Sequence, residues 1–154
     1  MKSTLRRTAL AAAFLALTTS ATLAQTPQHD MLNAVLWMQR SVEYKANSIA
    51  IFALAKMRLD QALADKNWTG APVEQTGAYQ DLPPALILDL DETLIDNSRF
   101  QAWMLMNDKV FTGPLWTQFV NSGVSEEIPG ALDFLKYAES KGVKLFYISN
   151  RTAE

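Results

Sequence analysis

Cysteine is absent from all 154 residues. That excludes disulfides, a thiol nucleophile and a zinc–thiolate centre. Histidine occurs once, as His29, in what would be the frayed start of a mature chain, where solvation rather than catalysis is the expectation. No apolar run reaches the roughly 20 residues a membrane-spanning helix needs; the longest, Ala9 to Leu17, falls well short. A surplus of basic residues is missing too. Fourteen Lys and Arg stand against sixteen Asp and Glu, and nothing gathers into a basic face for nucleic acid. Glycine and proline are missing from the stretch between Asp30 and Asp65, so no helix breaker interrupts it.

The opening carries its own signal. Lys2, Arg6 and Arg7 form a basic start, Ala9 to Leu17 an apolar centre, and Thr22-Leu23-Ala24 a small-residue cleavage site, the pattern of a secretory signal peptide over residues 1–24. A membrane anchor is the competing reading, and the short apolar run weighs against it. Arg6-Arg7 also permits twin-arginine export, though the flanking residues match that pattern poorly. Cleavage after Ala24 removes three basic residues and no acid, which takes the net charge from −2 to −5. A mildly acidic, exported domain, periplasmic or secreted, is expected.

Residues 25–66 form an N-terminal helical segment. Leu32, Val35, Leu36, Val42, Ile49, Phe52, Leu59 and Leu63 recur at spacings of three, four and seven, which gives one apolar face. As a single helix the segment would extend on the order of 50 Å, unless it breaks in two. Trp37, Met38 and Tyr44 are expected to pack between helices or in the core rather than form a ligand patch. Residues 67–84, with Gly70, Pro72, Gly77 and Pro83-Pro84, are turn chemistry and read as a linker. Beyond it, Phe100 to Val110 and Leu115 to Val120 read as helices separated by Thr112-Gly113-Pro114, with Gly123 closing the second. Pro129-Gly130 precedes an amphipathic helix from Ala131 to Ser140, which should turn Leu132, Leu135 and Tyr137/Ala138 toward a sheet, with Gly142 as its stop. A strand from Val143 to Ile148 follows.

The chain is organised around Ala85-Leu86-Ile87-Leu88-Asp89-Leu90-Asp91-Glu92-Thr93-Leu94. The apolar run Ala85 to Leu88 reads as a strand buried on both faces, as inside a parallel sheet. Ligands of open α/β sheets bind beyond the carboxyl ends of strands, which is where Asp89 and Asp91 fall. Carboxylates crowded this closely repel one another unless a cation or proton compensates, and oxygen-only ligands suit Mg²⁺. An acidic turn after a strand is the plain alternative. Against it stands the second strand with a polar end, Ser149-Asn150-Arg151, which a right-handed crossover would bring to the same edge of the sheet.

Leu88-Asp89-Leu90-Asp91-Glu92-Thr93-Leu94 with Asp96-Asn97-Ser98 resembles motif I of the haloacid dehalogenase (HAD) superfamily. More narrowly, with Trp37 to Ala46, Trp116 and its flanks, and Phe146 to Arg151, the chain resembles the class C acid phosphatases, the outer-membrane lipoprotein 5′-nucleotidase family. The resemblance runs from about Trp37 to Arg151. It implies an α/β fold: the N-terminal half of a HAD-like Rossmannoid parallel sheet over residues 85–154, preceded by helices and carrying a helical cap insert at about 98–125. It implies a Mg²⁺-dependent acid phosphatase acting on small phosphate monoesters such as 5′-nucleotides. Asp89 would be the nucleophile and Asp91 the general acid and base, giving better turnover at mildly acidic pH. Mg²⁺ would sit on Asp89's carboxylate and Asp91's backbone carbonyl, with a later aspartate. Ser149 and the N–H of Asn150 would bind the phosphoryl oxygens. Arg151 could approach phosphate or remain a surface charge. Glu92, Asp96 and Asn97 would fix the loop. Phe100 and Trp103 stand where the cap begins and are candidates for stacking on a nucleobase or for packing; the family usually has Tyr at the position of Phe100, so that hydroxyl is lost.

The resemblance also sets expectations about what is absent. Lipoprotein members carry a lipidated cysteine, and this sequence has none, which points to a soluble protein after cleavage. The family supplies a lysine and an acidic pair further on, and the sequence stops at Glu154, so a C-terminal truncation is expected. A binding protein that keeps the fold without the activity, and a phosphotransferase on the same scaffold, are the alternatives.

Overall fold

The structure is a computed structural model and describes residues 30–152. The signal-like stretch 1–24, His29 and the last two residues lie outside the described residues. From Met31 on, the chain runs α1 (Leu32–Arg40), α2 (Val42–Ala64), β1 (Ala85–Leu88), β2 (Ile95–Asp96), α3 (Ser98–Met106), α4 (Gly113–Ser122), β3 (Glu126–Glu127), α5 (Ala131–Ser140) and β4 (Lys144–Tyr147).

The N-terminal segment is two helices. The chain breaks at Ser41, which is extended (ψ 138°) and whose Oγ accepts the Tyr44 N–H at 2.9 Å, the bond of a helix N-cap. Because α1 and α2 turn independently, the single apolar face expected of the segment does not exist. Val35 and Leu59 are buried and Phe52 packs on the core, while Val42, Ile49, Leu32, Leu36 and Leu63 are exposed. Trp37 and Tyr44 meet edge to face across the break, 5.1 Å between centroids, so these two do pack between helices.

β1 and β4 pair in parallel, Leu86 opposite Leu145 and Leu88 opposite Tyr147. Leu86, Leu88 and Leu145 pack with Phe134, Ala138, Val143 and Leu59 between the sheet and helices α2 and α5. The opposite sheet face is open: Ile87 is 72% exposed and Phe146 is exposed beside it. This corrects the expectation of a strand buried on both faces. The run is apolar enough to be covered twice, but only α2 and α5 cover it among the described residues. Helix α5 begins and ends where Gly130 (φ 91°) and Gly142 (φ 77°) place it. Its inward face is Ala131, Phe134 and Ala138, with Leu135 partly buried; Leu132 points to solvent, another correction. The stripe drifts because a helix advances 3.6 residues per turn, and the Ala131–Phe134–Ala138 line fits that period as well as the line read from the sequence.

Between the two parallel strands the chain makes its excursion through α3 and α4. The neck of that excursion is clamped by an antiparallel pair of two residues each, Ile95 opposite Glu127 and Asp96 opposite Glu126. A second small core of Leu94, Ile128 and Ala131 lies beneath it. No described helix is long and apolar enough to cross a membrane.

Candidate active site

The loop after β1 is tight. The Leu90 carbonyl accepts the N–H groups of Thr93, Leu94 and Ile95 at 3.2, 2.9 and 2.9 Å. To make that turn Glu92 takes a left-handed φ of 54°, a conformation a non-glycine residue adopts at a cost. Its own N–H reaches the Ile95 carbonyl at 2.9 Å, and its carboxylate accepts the Asn97 backbone N–H at 3.3 Å. Those bonds offset the strain.

The loop delivers Asp91 to a buried amide and a guanidinium. Asn97, 1% exposed, donates its Nδ2 to Asp91 Oδ1 at 2.7 Å. Arg151 donates Nε to Asp91 Oδ1 and Oδ2 at 3.0 and 3.2 Å, and Nη2 to Oδ1 at 2.5 Å. The Asn97 Oδ1 accepts from Arg151 Nη2 at 3.1 Å and from Ser125 Oγ at 3.0 Å. Arg151 brought into this network holds the Asp91 carboxyl below the usual carboxylate range, against the opposing effect of burial and with help from Asn97. Glu92 shifts the other way. Withdrawal from water raises its carboxyl, the Asn97 bonds oppose this, and the charges of Asp91 and Asp96 add to it. Tyr44 of α2 feels the same cluster: burial raises its phenol first, then the charges of Asp96 and Glu92.

Asp89 directly follows β1 and is exposed. Its Oδ1 accepts the Leu90 N–H at 2.7 Å; no internal partner meets Oδ2 among the described residues. Ser149 and Asn150 follow β4 at the same end of the parallel pair. Ser149 Oγ accepts the Arg151 N–H at 3.1 Å, and Asn150 is exposed. Asp89, Asp91, Ser149 and Asn150 thus all follow the carboxyl ends of the two strands.

Phe100 and Trp103 part company. Phe100 is 4% exposed and ringed by Trp103, Phe111, Trp116 and Phe119, with centroids 5.0 to 6.3 Å away. It packs among these rings, one of the two alternatives for this residue, and also lines the cavity between α3 and α4. Trp103 is 42% exposed and lines the same open cavity, of about 420 Å³, with Arg99, Gln118 and Phe119.

Sequence reasoning left out Arg151 and gave Asn97 only a loop-fixing part. The signal for Arg151 was an arginine directly after a strand-ending serine, at the same sheet edge as two aspartates. Asn97 has no signal beyond its acidic neighbours. Its burial comes from the neck of the cap, through Ser125, distant in sequence.

The residues on hand fit a hard cation in kind. Asp89 offers a carboxylate and Asp91 a backbone carbonyl, both oxygen donors, and Mg²⁺ is commonly held by one or two carboxylates with several waters. Asp91's carboxylate is already engaged by Arg151 and Asn97. Among the described residues no group of three or more His, Cys, Asp or Glu gathers to hold a metal.

Two solved structures share this arrangement of chain. The class C acid phosphatase from Bacillus anthracis is 39% identical over 80% of this chain, with a TM-score of 0.67. The same enzyme with tungstate bound gives 39% identity and a TM-score of 0.66. In both cases the chain spans 46% of the matched protein's length. The family profile described as HAD superfamily, subfamily IIIB (Acid phosphatase), matches residues 2–154. With motif I on the loop after β1 and Ser149 after the parallel β4, the chain belongs to subfamily IIIB of the HAD superfamily, the acid phosphatases.

Proposed function

We propose that the protein is a Mg²⁺-dependent acid phosphatase that hydrolyses phosphate monoesters, 5′-nucleotides among them, through an aspartyl-phosphate on Asp89. The observation that carries this reading is the parallel register of β1 and β4, after which Asp89, Asp91 and Ser149 follow at one end of the sheet. An exposed carboxylate with one oxygen unengaged can attack phosphorus. The Asp89 Oδ–P bond forms, the P–O bond to the organic group breaks, and the leaving oxygen takes a proton. Water then attacks the acyl phosphate, losing a proton to a base, and Asp89 returns with inorganic phosphate released. Bound Mg²⁺ on Asp89 and the Asp91 carbonyl would offset the negative charge of the phosphoryl oxygens.

Asp91 is the proton-transfer group. In the resting geometry the Arg151 bonds keep it ionised, which suits the base role of the second half-reaction. The acid role of the first half-reaction requires a proton that Arg151 opposes. Phosphoryl oxygens competing for the Arg151 guanidinium would relieve that opposition. Ser149 Oγ and the Asn150 N–H are the donors for a phosphoryl oxygen. The organic part of the substrate is assigned to the cavity between α3 and α4. Its volume suits a small-molecule site, Trp103 offers a ring face, and Arg99 and Gln118 offer polar groups.

The test is phosphate release from a 5′-nucleotide at about pH 5 to 6, with Mg²⁺, with a chelator, and with Asp89→Asn. Metal-dependent release that falls at least a thousandfold in the variant supports the reading. One observation favours a second reading, a binding protein that retains the fold: the Asp91 charge is already neutralised by Arg151. Folded protein that binds phosphate without releasing it from an ester would select that alternative.

A further inference from the structure

We propose that Arg151 is a positioning residue through which the cap helix α4 sets the orientation of Asp91. Its guanidinium meets both a carboxylate and an aromatic ring. It forks onto the Asp91 carboxylate through Nε and Nη2, at 3.0 and 2.5 Å from Oδ1, and reaches the Asn97 carbonyl oxygen at 3.1 Å. Its Cζ also sits over the Trp116 ring of α4, 5.4 Å from the centroid, a cation–π contact. Arg151 and Asp91 keep only 16% and 18% of their side-chain surface exposed, so the pair is poorly screened by solvent.

Trp116 is itself fixed. Phe100, Phe119 and Phe111 surround it at 5.4, 5.6 and 6.2 Å, and Phe119 also lines the cavity between α3 and α4. The neck of the cap converges on the same point. Asn97 stands at its entrance and Ser125 at its exit, and the two are joined by the Ser125 Oγ bond to Asn97 Oδ1, the acceptor that also takes Arg151 Nη2. A shift of α4 therefore reaches Asp91 through one guanidinium. Lysine could supply the charge and a cation–π contact but not the two-nitrogen fork on Asp91. The inference rests on the proposed role of Asp91, but its test reads the free protein.

The measurement is NMR on the full chain at one neutral pH. The Asp91 carboxyl carbon, assigned with Asp91→Asn, and the Arg151 Nε–H proton are followed in wild type, Trp116→Leu, Arg151→Lys, the double variant and a Trp68→Phe control. Trp116→Leu and Arg151→Lys should each move the Asp91 signal, the double variant no further than Arg151→Lys alone, and the control not at all. Unchanged Asp91 and Arg151 signals in a folded Trp116→Leu protein would overturn the proposal, as would additive shifts in the double variant. Should Trp116→Leu fail to fold, judged by circular dichroism, the reciprocal reading decides: Arg151→Lys must move the Trp116 indole N–H signal, and an unmoved signal overturns the proposal. In an active protein, Trp116→Leu should lower kcat about ten- to a hundredfold with little change in KM. Coupling seen in a protein that releases no phosphate would refute the proposed activity and leave the coupling standing.

Discussion

At Asp91 and Glu92, neighbouring carboxyl groups are pushed in opposite directions by one loop, and each direction carries a different pH signature. Asp91 is depressed, chiefly by its hydrogen bonds from Arg151. A depressed acid stabilises the fold above its unfolded pKa, about 3.9, and that contribution is lost as pH falls through the lower folded value. Arg151→Ala should therefore cost about 1.5 to 3 kcal/mol at pH 7, as expected for a hydrogen bond to a charged group. The difference from wild type should shrink once pH falls below the folded pKa of Asp91. Urea midpoints at neutral and strongly acidic pH check this, and a gap independent of pH would count against it. Glu92 is raised, chiefly by withdrawal from water. Its contribution is intact below the unfolded value of about 4.3 and is lost as pH rises through the higher folded pKa. Glu92→Gln keeps an acceptor for the Asn97 N–H and removes the charge. It should gain stability relative to wild type on going from pH 4 to pH 8, by under about 1 kcal/mol, readable in the melting temperature. At this scale the placement of Asp89, Asp91 and Ser149 beyond two parallel strand ends was legible, because apolar runs immediately precede them. Arg151 and Asn97 were not legible as site residues, because their roles depend on who meets them in space.

Helix α5 begins close against α2, where a side chain would fit only tightly. Gly130 stands at φ 91°, and a Cβ there would come within 3.3 Å of the Ile49 Cα and the Phe52 ring. Gly130→Ala would put a side chain on a left-handed backbone in tight contact with α2, at a cost of about 1 to 2 kcal/mol from the backbone strain, measured as a lower denaturation midpoint with the secondary structure kept. Ser41→Ala tests the break between α1 and α2. It removes the cap on the Tyr44 N–H and should cost about 1 kcal/mol; because Tyr44 faces Asp96 and Glu92, the loss should also appear as altered amide exchange in residues 91–97. The ends of α5 were visible in the sequence because Gly130 and Gly142 are strong punctuation. The break at Ser41 was not, since neither glycine nor proline marks it. Reading one apolar stripe across two helices then assigned Val42 and Ile49 to a face that α2 does not bury.

Over the whole of the described chain, the parallel pair is covered on one side only. Ile87, Phe146 and Ile148 are exposed, and β1 and β4 each leave an outer edge unpaired among the described residues. Exposed apolar strands with free edges are prone to edge-to-edge association. Sedimentation should show association that grows with protein concentration, and Ile87→Thr with Phe146→Thr should reduce it without lowering the melting temperature by more than a few degrees. The hydropathy of β1 told what the strand needs, cover on two faces, and could not tell which elements supply it. The chain spans 46% of the solved class C acid phosphatase structures it matches, and the parallel register that aligns its two strand ends is contained in that span. The claim on which the functional reading turns is that Asp89 forms a covalent phosphoryl intermediate. It is tested most directly by quenching the protein during turnover of a 5′-nucleotide, reducing with borohydride and sequencing the peptide that holds residue 89 by mass spectrometry. Conversion of Asp89 to homoserine, dependent on nucleotide and Mg²⁺, is the predicted result. Phosphate release with an unmodified Asp89, or release that persists in Asp89→Asn, would contradict it.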